Sequence, residues 1–517
     1  MKIEADLIVF NGNIITMNPQ QPTVSALAVK SYKVLTVGDD DVVVDLIPDA
    51  KRVIDLGGKT VVPGFIDAHT HITSAGIKSA HVQLDKIGSV GEAVRFLTDA
   101  APNYPKGEWI LGYGWDESEW KKKRYIEAKD LDHVSKDHPV MATRVCGHLA
   151  SVNTLGLERL GIDLNQEGVQ KDRLGRPTGV LMDIDEVWEK VRAKPEEIRE
   201  GVIRGNKIAN EKGITTVVDN TSAGYIRHIR EVETKHQLTT RIIVNFPVEQ
   251  IDHMIELGLT SGMGSPLVRL GGVKIFTDGS IGAKTAYVAK GYNDNAKNKG
   301  MLLFPKEEYA AIVKKAVANN IQTVTHAIGD EALEMVISTF EDLPDKSILR
   351  DQRHRIEHAE MISEYQIRRA VGLGLILSMQ PNFVGRWQQI GGLYDQRFDE
   401  ERVRGMNMFR VALDNGARLC FGSDGMPYGP LYGIWSAVTH HNERVRLTVE
   451  EALRCYTMES AYSIFQENTL GSLTVGKRAD FVVLSHNILE VPPDKIIDID
   501  IEMTVVGGEV EYSVSRT

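Results

Sequence analysis

The chain has 517 residues, of which 42% are hydrophobic and 25% are charged, a composition typical of a soluble globular protein with a large core. Its formal net charge of −11 argues against general binding to nucleic acid or to anionic membranes, and favours work on a small molecule. The three cysteines, Cys146, Cys420 and Cys455, have neither disulfide-framework nor zinc-finger spacing, so we expect a reducing, cytoplasmic location.

The two ends of the chain carry the same kind of element. The first segment, MKIEADLIVFNGNIITMN, contains short β-like runs separated by Gly and Asn, which predicts strands. Because it has acidic residues within its apolar run and no preceding basic segment, we do not expect a signal peptide. Similar runs close the chain, GSLTVGKRADFVVLS and EMTVVGGEVEYSV, and neither end has enough strands for a stable sheet of its own. We therefore expect residues 1–58 and 469–517 to pair into one small β-sandwich. No window approaches the roughly 20 apolar residues of a membrane span.

Eight apolar runs that end in polar residues alternate with helical patterns in the middle of the chain. The first is VVPGFIDAHTH, and the others occupy residues 213–220, 241–246, 271–280, 321–330, 353–360, 374–381 and 417–425. Apolar strands separated by helices indicate a parallel sheet covered on its outside, and eight such units are typical of a TIM barrel. The pattern predicts an α/β fold with a (β/α)8 barrel over residues 59–80 and 196–468.

Residues 81–195 fit neither pattern, because consecutive barrel strands need only a loop and a helix between them. Within this segment WILGYGWDE and HPVMATRVCGHLASVN are strand-like, and DRLGRPTGVLMD is typical of a hairpin. The segment is attached to the loop after the first barrel strand. We expect an insertion that lies over the C-terminal face of the barrel, where such barrels keep their chemistry.

Six potential metal ligands fall at or near the ends of the predicted barrel strands. His69 and His71 are two residues apart on one strand, so their side chains point the same way, roughly 6 to 7 Å apart along it. Taken singly, each of the six has an ordinary explanation as a core histidine, a turn or cap residue, or a paired lysine. Together they predict a metal centre on the barrel axis. The six are His69, His71, Lys274, His326, His358 and Asp424.

The order of these residues resembles the pattern of the amidohydrolase superfamily. The motifs that carry the resemblance are GFIDAHTH, VKIFTDGS, THAIGDEA, RIEHAE and FGSDG. The words DGSIGAKTA, THAIGDEA and GHLASVNTLGL resemble in particular the branch that contains N-substituted formamide deformylases. The resemblance implies a divalent metal centre in the barrel that hydrolyses amide, ester or amine bonds.

Charge constrains Lys274, because an ammonium beside two dications would be repelled. The lysine must therefore be neutral, turned away or chemically changed, and the resemblance implies a carbamate that bridges two metal ions. In that scheme His69, His71 and Asp424 hold one ion, and His326 and His358 hold the other. Zinc suits these ligands, although Mn²⁺, Fe²⁺ or Co²⁺ could occupy the same site, and a mononuclear site is the alternative. A bridging hydroxide would attack the substrate, with Asp424 as general base and then general acid.

The resemblance predicts hydrolysis of a C–N bond in a linear amide, such as an N-substituted formamide. The alternatives are a deaminase or a cyclic amidase of the same superfamily. Deaminases typically have an HxxE word at the fifth strand and no lysine at the fourth, whereas this chain has HAIGD and Lys274. A non-catalytic scaffold would predict gaps in the ligand set, and the sequence shows none. We expect a small-molecule substrate and neither nucleic acid nor a membrane as a partner. The formation of a homo-oligomer is left open.

Candidate substrate contacts lie outside the ligand set. Trp115, Asp116 and His148 on the insertion, with Asp278 just beyond Lys274, are candidate walls and polar anchors of the pocket. The ordinary alternative is that tryptophans pack in cores and that Asp278, which precedes a glycine, turns the chain.

Overall fold

The computed structural model describes residues 4–117, 120–145, 147, 149–182 and 184–514, and eight parallel strands form its central sheet. Strand order in this sheet follows order in the chain, so each strand lies beside its predecessor. The predicted (β/α)8 TIM barrel is confirmed. Its strands are β1 (Phe65–Thr70), β2 (Ile214–Asn220), β3 (Arg241–Pro247), β4 (Val268–Phe276), β5 (Gln322–Ala327), β6 (Arg355–His358), β7 (Ile376–Met379) and β8 (Leu419–Phe421).

Amphipathic helices separate the barrel strands. The helix Glu364–Leu373 shows how the sequence limits them: Ser363 and Gln366 form a capping box at its start, and Gly374 ends it with φ of 77°. The α-helices are Asp41–Val44, Ile72–Lys78, Val90–Ala100, Ala128–Leu131, Thr154–Leu160, Asp185–Lys190, Pro195–Glu211, Ile226–Thr234, Ile251–Glu256, Lys306–Ala318, Asp330–Glu341, Leu349–Gln352, Glu364–Leu373, Pro381–Trp387, Leu393–Arg397, Glu400–Arg404, Phe409–Asp414, Pro430–Val438, Val449–Cys455 and Met458–Ser463.

The last barrel strand meets the first through polar contacts. The Asp67 carboxylate accepts hydrogen bonds from the backbone N and the hydroxyl of Ser423, at 3.0 and 2.5 Å. Asp424 N donates to His69 O at 2.8 Å. Gly422 permits this approach, because a Cβ at that position would clash with the backbone nitrogen of His69. The ends of β1 and β8 are therefore held side by side.

The run VVPGFIDAHTH is divided at Gly64 and is not a single barrel strand. Thr60–Pro63 pairs with Phe481–Leu484 in a different sheet, whereas Phe65–Thr70 is β1. Gly64 N donates to Asp480 O, and Phe65 N donates to Gly213 O, so neighbouring peptides bond to different sheets. Residues 60–63 thus lie in the sheet of the chain ends, beyond the predicted boundary at residue 58.

The two ends of the chain pair as predicted. One sheet has the order Glu509–Ser513, Ile501–Val506, Phe481–Leu484, Thr60–Pro63, Asn13–Ile15 and Thr23–Val24. A second sheet has the order Lys33–Gly38, Ala26–Lys30, Leu7–Phe10 and Val53–Asp55. Buried side chains from both ends, among them Val9, Leu27, Phe481 and Val505, share one apolar core. The exact domain boundaries stay a prediction.

Residues Ser74–Arg204 form a separate compact unit, and the other unit combines the chain up to Thr73 with the chain from Gly205. The separate unit has a sheet of its own, in the order Val169–Lys171, Pro177–Met182, Leu149–Val152, Val140–Arg144, Ile110–Trp115 and Val82–Gln83. The predicted hairpin is confirmed, since Val169–Lys171 pairs antiparallel with Pro177–Met182. The expected position of this insertion over the barrel stays a prediction. Within the described residues, no helix has the length and hydrophobicity needed to cross a bilayer.

A buried ion pair joins the barrel to the sheet of the chain ends. Arg241, the first residue of β3, donates to both Asp480 oxygens at 2.8 Å, and both side chains are almost fully buried. We expect Asp480→Asn to destabilise the protein by about 3–5 kcal/mol, because it leaves the Arg241 charge buried without its partner. Urea and thermal unfolding would measure this change. Asp252→Asn is the matched control, since the Asp252–Lys315 pair is solvent-exposed, and an equal loss in both variants would contradict the prediction.

Candidate metal centre

Two histidines and one aspartate lie together where the first and last barrel strands end. His69 is the penultimate residue of β1, His71 follows the strand, and Asp424 lies just after β8. One ligand atom from each of the three lies within 4.8 Å of the other two. The Asp424 Oδ1 atom is 3.2 Å from His71 Nε2 and 3.7 Å from His69 Nε2. Two imidazoles and a carboxylate at this spacing could hold one divalent ion.

The other two histidines adjoin this group. His326 and His358 lie near the ends of β5 and β6, with ring centroids 4.4 Å apart, and the His358 ring is 4.8 Å from that of His69. His358 has φ of 69°, a left-handed conformation that departs from strand geometry and redirects the side chain that follows Glu357. The four imidazoles therefore form one continuous cluster.

Lys274 completes the predicted set. It lies on β4, is buried, and places its Nζ atom 3.3 Å from His69 Nε2 and 4.8 Å from the centre of the Phe276 ring. Burial lowers the pKa of the Lys274 ammonium to about 8. The structure thus brings together all six residues that the sequence predicted as ligands.

Each of the four imidazoles has one ring nitrogen bound to an acceptor of the protein. Because a carbonyl or carboxylate oxygen only accepts, the ring nitrogen bound to it carries a proton. His69 Nδ1 donates to Glu357 Oε2. The other acceptors are Asn220 O for His71 Nδ1 at 2.7 Å, Gly279 O for His326 Nε2 at 3.1 Å and Gln380 Oε1 for His358 Nδ1 at 2.6 Å.

The pKa values of three of the histidines and of Asp424 suit cation binding. Burial lowers the pKa of His326 to about 4 and holds the pKa values of His69 and His358 well below the usual range. Burial alone would raise the pKa of Asp424, but the hydrogen bond with His71 and nearby positive charge hold it at about 2. Neutral imidazoles and an ionised carboxylate are the forms that ligate metals.

Several residues that support the cluster were missed by the sequence reasoning. Glu357 and Gln380 accept from the rings of His69 and His358, and Arg355 donates to Glu357 through Nε at 2.7 Å. The motif RIEHAE could have indicated the pairing of Arg355 with Glu357, because the two residues are two apart on a strand and their side chains lie on the same face. The partner of Glu357 on β1 is 288 residues away, and no local pattern indicates it.

Asp278 organises loops beside the cluster. Its buried carboxylate accepts hydrogen bonds from the backbone N of Tyr287, Ile328 and Gly329 at 2.9 to 3.1 Å, and lies 3.5 Å from His326 Nε2. Burial raises its pKa to about 7. These bonds give Asp278 a structural role, and its contact with substrate stays a prediction.

The insertion residues have structural roles within their own unit. Trp115 is fully buried, donates its indole N–H to Ala142 O at 3.1 Å, and packs beside Trp120. Asp116 accepts from Arg144 at 2.8 Å. Packing alone explains Trp115, so substrate contact by Trp115 and Asp116 stays a prediction. His148 lies outside the described residues.

Aromatic rings border the cluster on two sides. Phe276 is 44% exposed, and its ring centroid lies 5.2 Å from that of His326. Phe383 stacks on His358 with centroids 5.9 Å apart, and Trp387 lies 4.8 Å from Phe383. The polar cluster is therefore bordered by apolar surface, as is typical of small-molecule sites.

Comparison with known proteins gives consistent matches along the whole chain. A family model described as "Amidohydrolase family" matches residues 52–512. Protein LONG AFTER FAR-RED 3 from Arabidopsis thaliana is 31% identical over 543 aligned residues, which cover 99% of this chain and 92% of that protein. An N-substituted formamide deformylase from Arthrobacter pascens is 25% identical, with 98% of each chain covered. The crystal structure of an uncharacterized metal-dependent hydrolase from Pyrococcus horikoshii matches with a TM-score of 0.79 and 28% identity, covering 94% of this chain and 99% of that one.

Proposed function

The chain belongs to the amidohydrolase family and is a metal-dependent hydrolase of carbon–nitrogen bonds, and from this premise we propose that it cleaves a linear amide, an N-substituted formamide or a related compound. The observation that carries the proposal is the cluster of four imidazoles, one carboxylate and one lysine at the ends of the barrel strands. The similarity to the formamide deformylase, 25% identical over 98% of both chains, supports the general amidohydrolase reaction, and the linear amide is our choice within it.

The residues fit two divalent ions, for which zinc is our choice. His69, His71 and Asp424 would hold one ion, His326 and His358 would hold the other, and a carbamate on Lys274 would bridge them. In every imidazole one nitrogen is bound to an acceptor of the protein, so the opposite nitrogen is the one that would ligate an ion. Bound zinc would lower the pKa of a water molecule towards neutrality and polarise the scissile carbonyl group.

Asp424 moves the proton in this proposal. Its low pKa keeps the carboxylate ionised at neutral pH, so Oδ1 can accept a proton from the attacking water and pass it to the leaving nitrogen. The hydrogen bond between Asp424 N and His69 O fixes the backbone of the base relative to the histidines. The cluster therefore combines a positioned base with a site for the attacking water.

We expect close to two zinc ions per chain after metal loading, because the donor set divides into two groups. Inductively coupled plasma mass spectrometry on the metal-loaded and chelator-treated protein would measure the ratio. Full activity with a single ion would contradict the binuclear arrangement and favour the mononuclear alternative.

A substrate panel tests the proposed reaction. Zinc-loaded protein would be assayed with N-substituted formamides, acyl-amino acids, cyclic amides and amino-heterocycles, with release of amine, acid or ammonia as the readout. We expect turnover of the linear amides. Turnover confined to cyclic amides or to ring amines would overturn the linear-amide proposal in favour of a cyclic amidase or a deaminase. A cytoplasmic location stays a prediction, and the oligomeric state stays open.

A further inference from the structure

The four imidazoles differ in the charge of the group that holds them. His71 Nδ1, His326 Nε2 and His358 Nδ1 donate to neutral oxygens of a backbone carbonyl or a side-chain amide, and the Asp278 carboxylate lies farther from His326 Nε2, at 3.5 Å. His69 donates instead to the carboxylate of Glu357. A carboxylate partner orients an imidazole and increases the basicity of its other nitrogen, so it strengthens that nitrogen as a metal ligand.

Glu357 is itself held by a buried arginine. Arg355 donates from Nε to Glu357 Oε1 at 2.7 Å and from Nη2 to Glu357 Oε2 at 3.1 Å. The side chains of Arg355, Glu357 and His69 are each at most 1% exposed. Because an isolated buried charge is costly, the pairing with Arg355 offsets the cost of burying the Glu357 carboxyl group inside the barrel.

Arg355 also binds the strand that carries His69. Its Nη2 atom donates to Ala68 O at 2.6 Å and to Ser378 Oγ at 2.9 Å, which links β6 to β1 and β7. The arginine thus contacts both the backbone next to His69 and the carboxylate that holds the His69 ring. The opposite nitrogen of that ring, Nε2, then lies 3.7 Å from Asp424 Oδ1.

We propose that Glu357, fixed by Arg355, is a positioning residue that makes the group of His69, His71 and Asp424 the tighter of the two metal positions, so that this position fills first. The inference rests on the proposed metal centre. It adds an order of metal loading, and it assigns that order to two residues that are not themselves ligands.

Zinc titration of the metal-free protein against a chromophoric chelator tests this inference. We expect two affinity classes in the wild type, and we expect Glu357→Gln to weaken the tighter class by roughly 10- to 100-fold while leaving the weaker class unchanged. The matched control is Gln380→Met, which removes the neutral acceptor of His358. This control should weaken the second class and leave the first intact.

Cobalt provides a readout that a merely structural role would not change. The visible absorption of the first equivalent of Co²⁺ should differ between wild type and Glu357→Gln, because His69 ligates that ion, and should be the same in wild type and Gln380→Met. If Glu357→Gln fails to fold because Arg355 loses its partner, the same measurements are made on the double variant Arg355→Met with Glu357→Gln, which removes both charges.

Three outcomes would overturn the inference. Equal weakening of both zinc classes would show general loosening of the barrel, and an unchanged tighter class in a folded variant would show that Glu357 has no such role. Both results leave the proposed function standing. Absence of zinc binding by the wild type would overturn the proposed metal centre and this inference together.

Discussion

Asp424→Asn is expected to lower kcat by roughly 10² to 10⁴-fold while the protein keeps its fold. An amide fills the space of the carboxylate but cannot take a proton from water and pass it to the leaving nitrogen. The backbone should tolerate the change, because Asp424 has φ of 51°, a left-handed conformation that asparagine adopts readily. The Asp424 N to His69 O hydrogen bond uses the main chain and is retained.

The measurement compares turnover, circular dichroism and metal content in one preparation. Metal content matters because Asp424 is also a proposed ligand, so turnover must be compared at equal zinc occupancy. Asp414→Asn is the matched control, since this exposed carboxylate pairs with Arg410 on the surface and should leave kcat unchanged. A folded, fully loaded Asp424→Asn variant with near-normal kcat would mean that another group is the base.

The barrel and the clustering of the polar residues at its strand ends were predictable from the sequence for one physical reason. Apolar strands separated by helices must be parallel, and the carboxyl ends of parallel strands meet at one edge. Polar residues that end different strands, such as His69, His326 and His358, are therefore brought together although they are far apart in the chain. The pairing of the two chain ends followed from a similar argument, since neither end has enough strands to form a sheet alone.

Other features depend on long-range packing that no local pattern records. The division of the first strand at Gly64 follows from hydrogen bonds to Asp480 and Gly213, both remote in sequence. The inward direction of His358 depends on its φ of 69°, since strict alternation would turn it away from the face of Glu357. The burial of Trp115, which the sequence left as the ordinary alternative to substrate contact, likewise depends on the core of its own unit.

Lys274→Ala is expected to reduce both metal occupancy and hydrolysis sharply, because the lysine would supply the bridge between the two ions. A cationic amine cannot stay within a few Å of two dications, whereas a carbamate is anionic and offers two oxygens. Only an uncharged amine reacts with CO₂ to form a carbamate. Burial lowers the Lys274 pKa to about 8, so about a tenth of the amine is uncharged at pH 7 before any metal binds.

The experiment measures zinc per chain and turnover for wild type, Lys274→Ala and the control Lys315→Ala, whose side chain is half exposed and pairs with Asp252 on the surface. A short carboxylic acid in excess should restore part of both quantities in Lys274→Ala by replacing the missing bridge, and should not alter the control. Reconstitution of the wild type without CO₂ and bicarbonate should be slower, and ¹³C-labelled bicarbonate should give a carbamate resonance that Lys274→Ala lacks. Two retained ions at full rate in Lys274→Ala, or an unmodified lysine directed away from bound zinc in a crystal structure, would remove the carbamate from the mechanism and leave the family assignment intact.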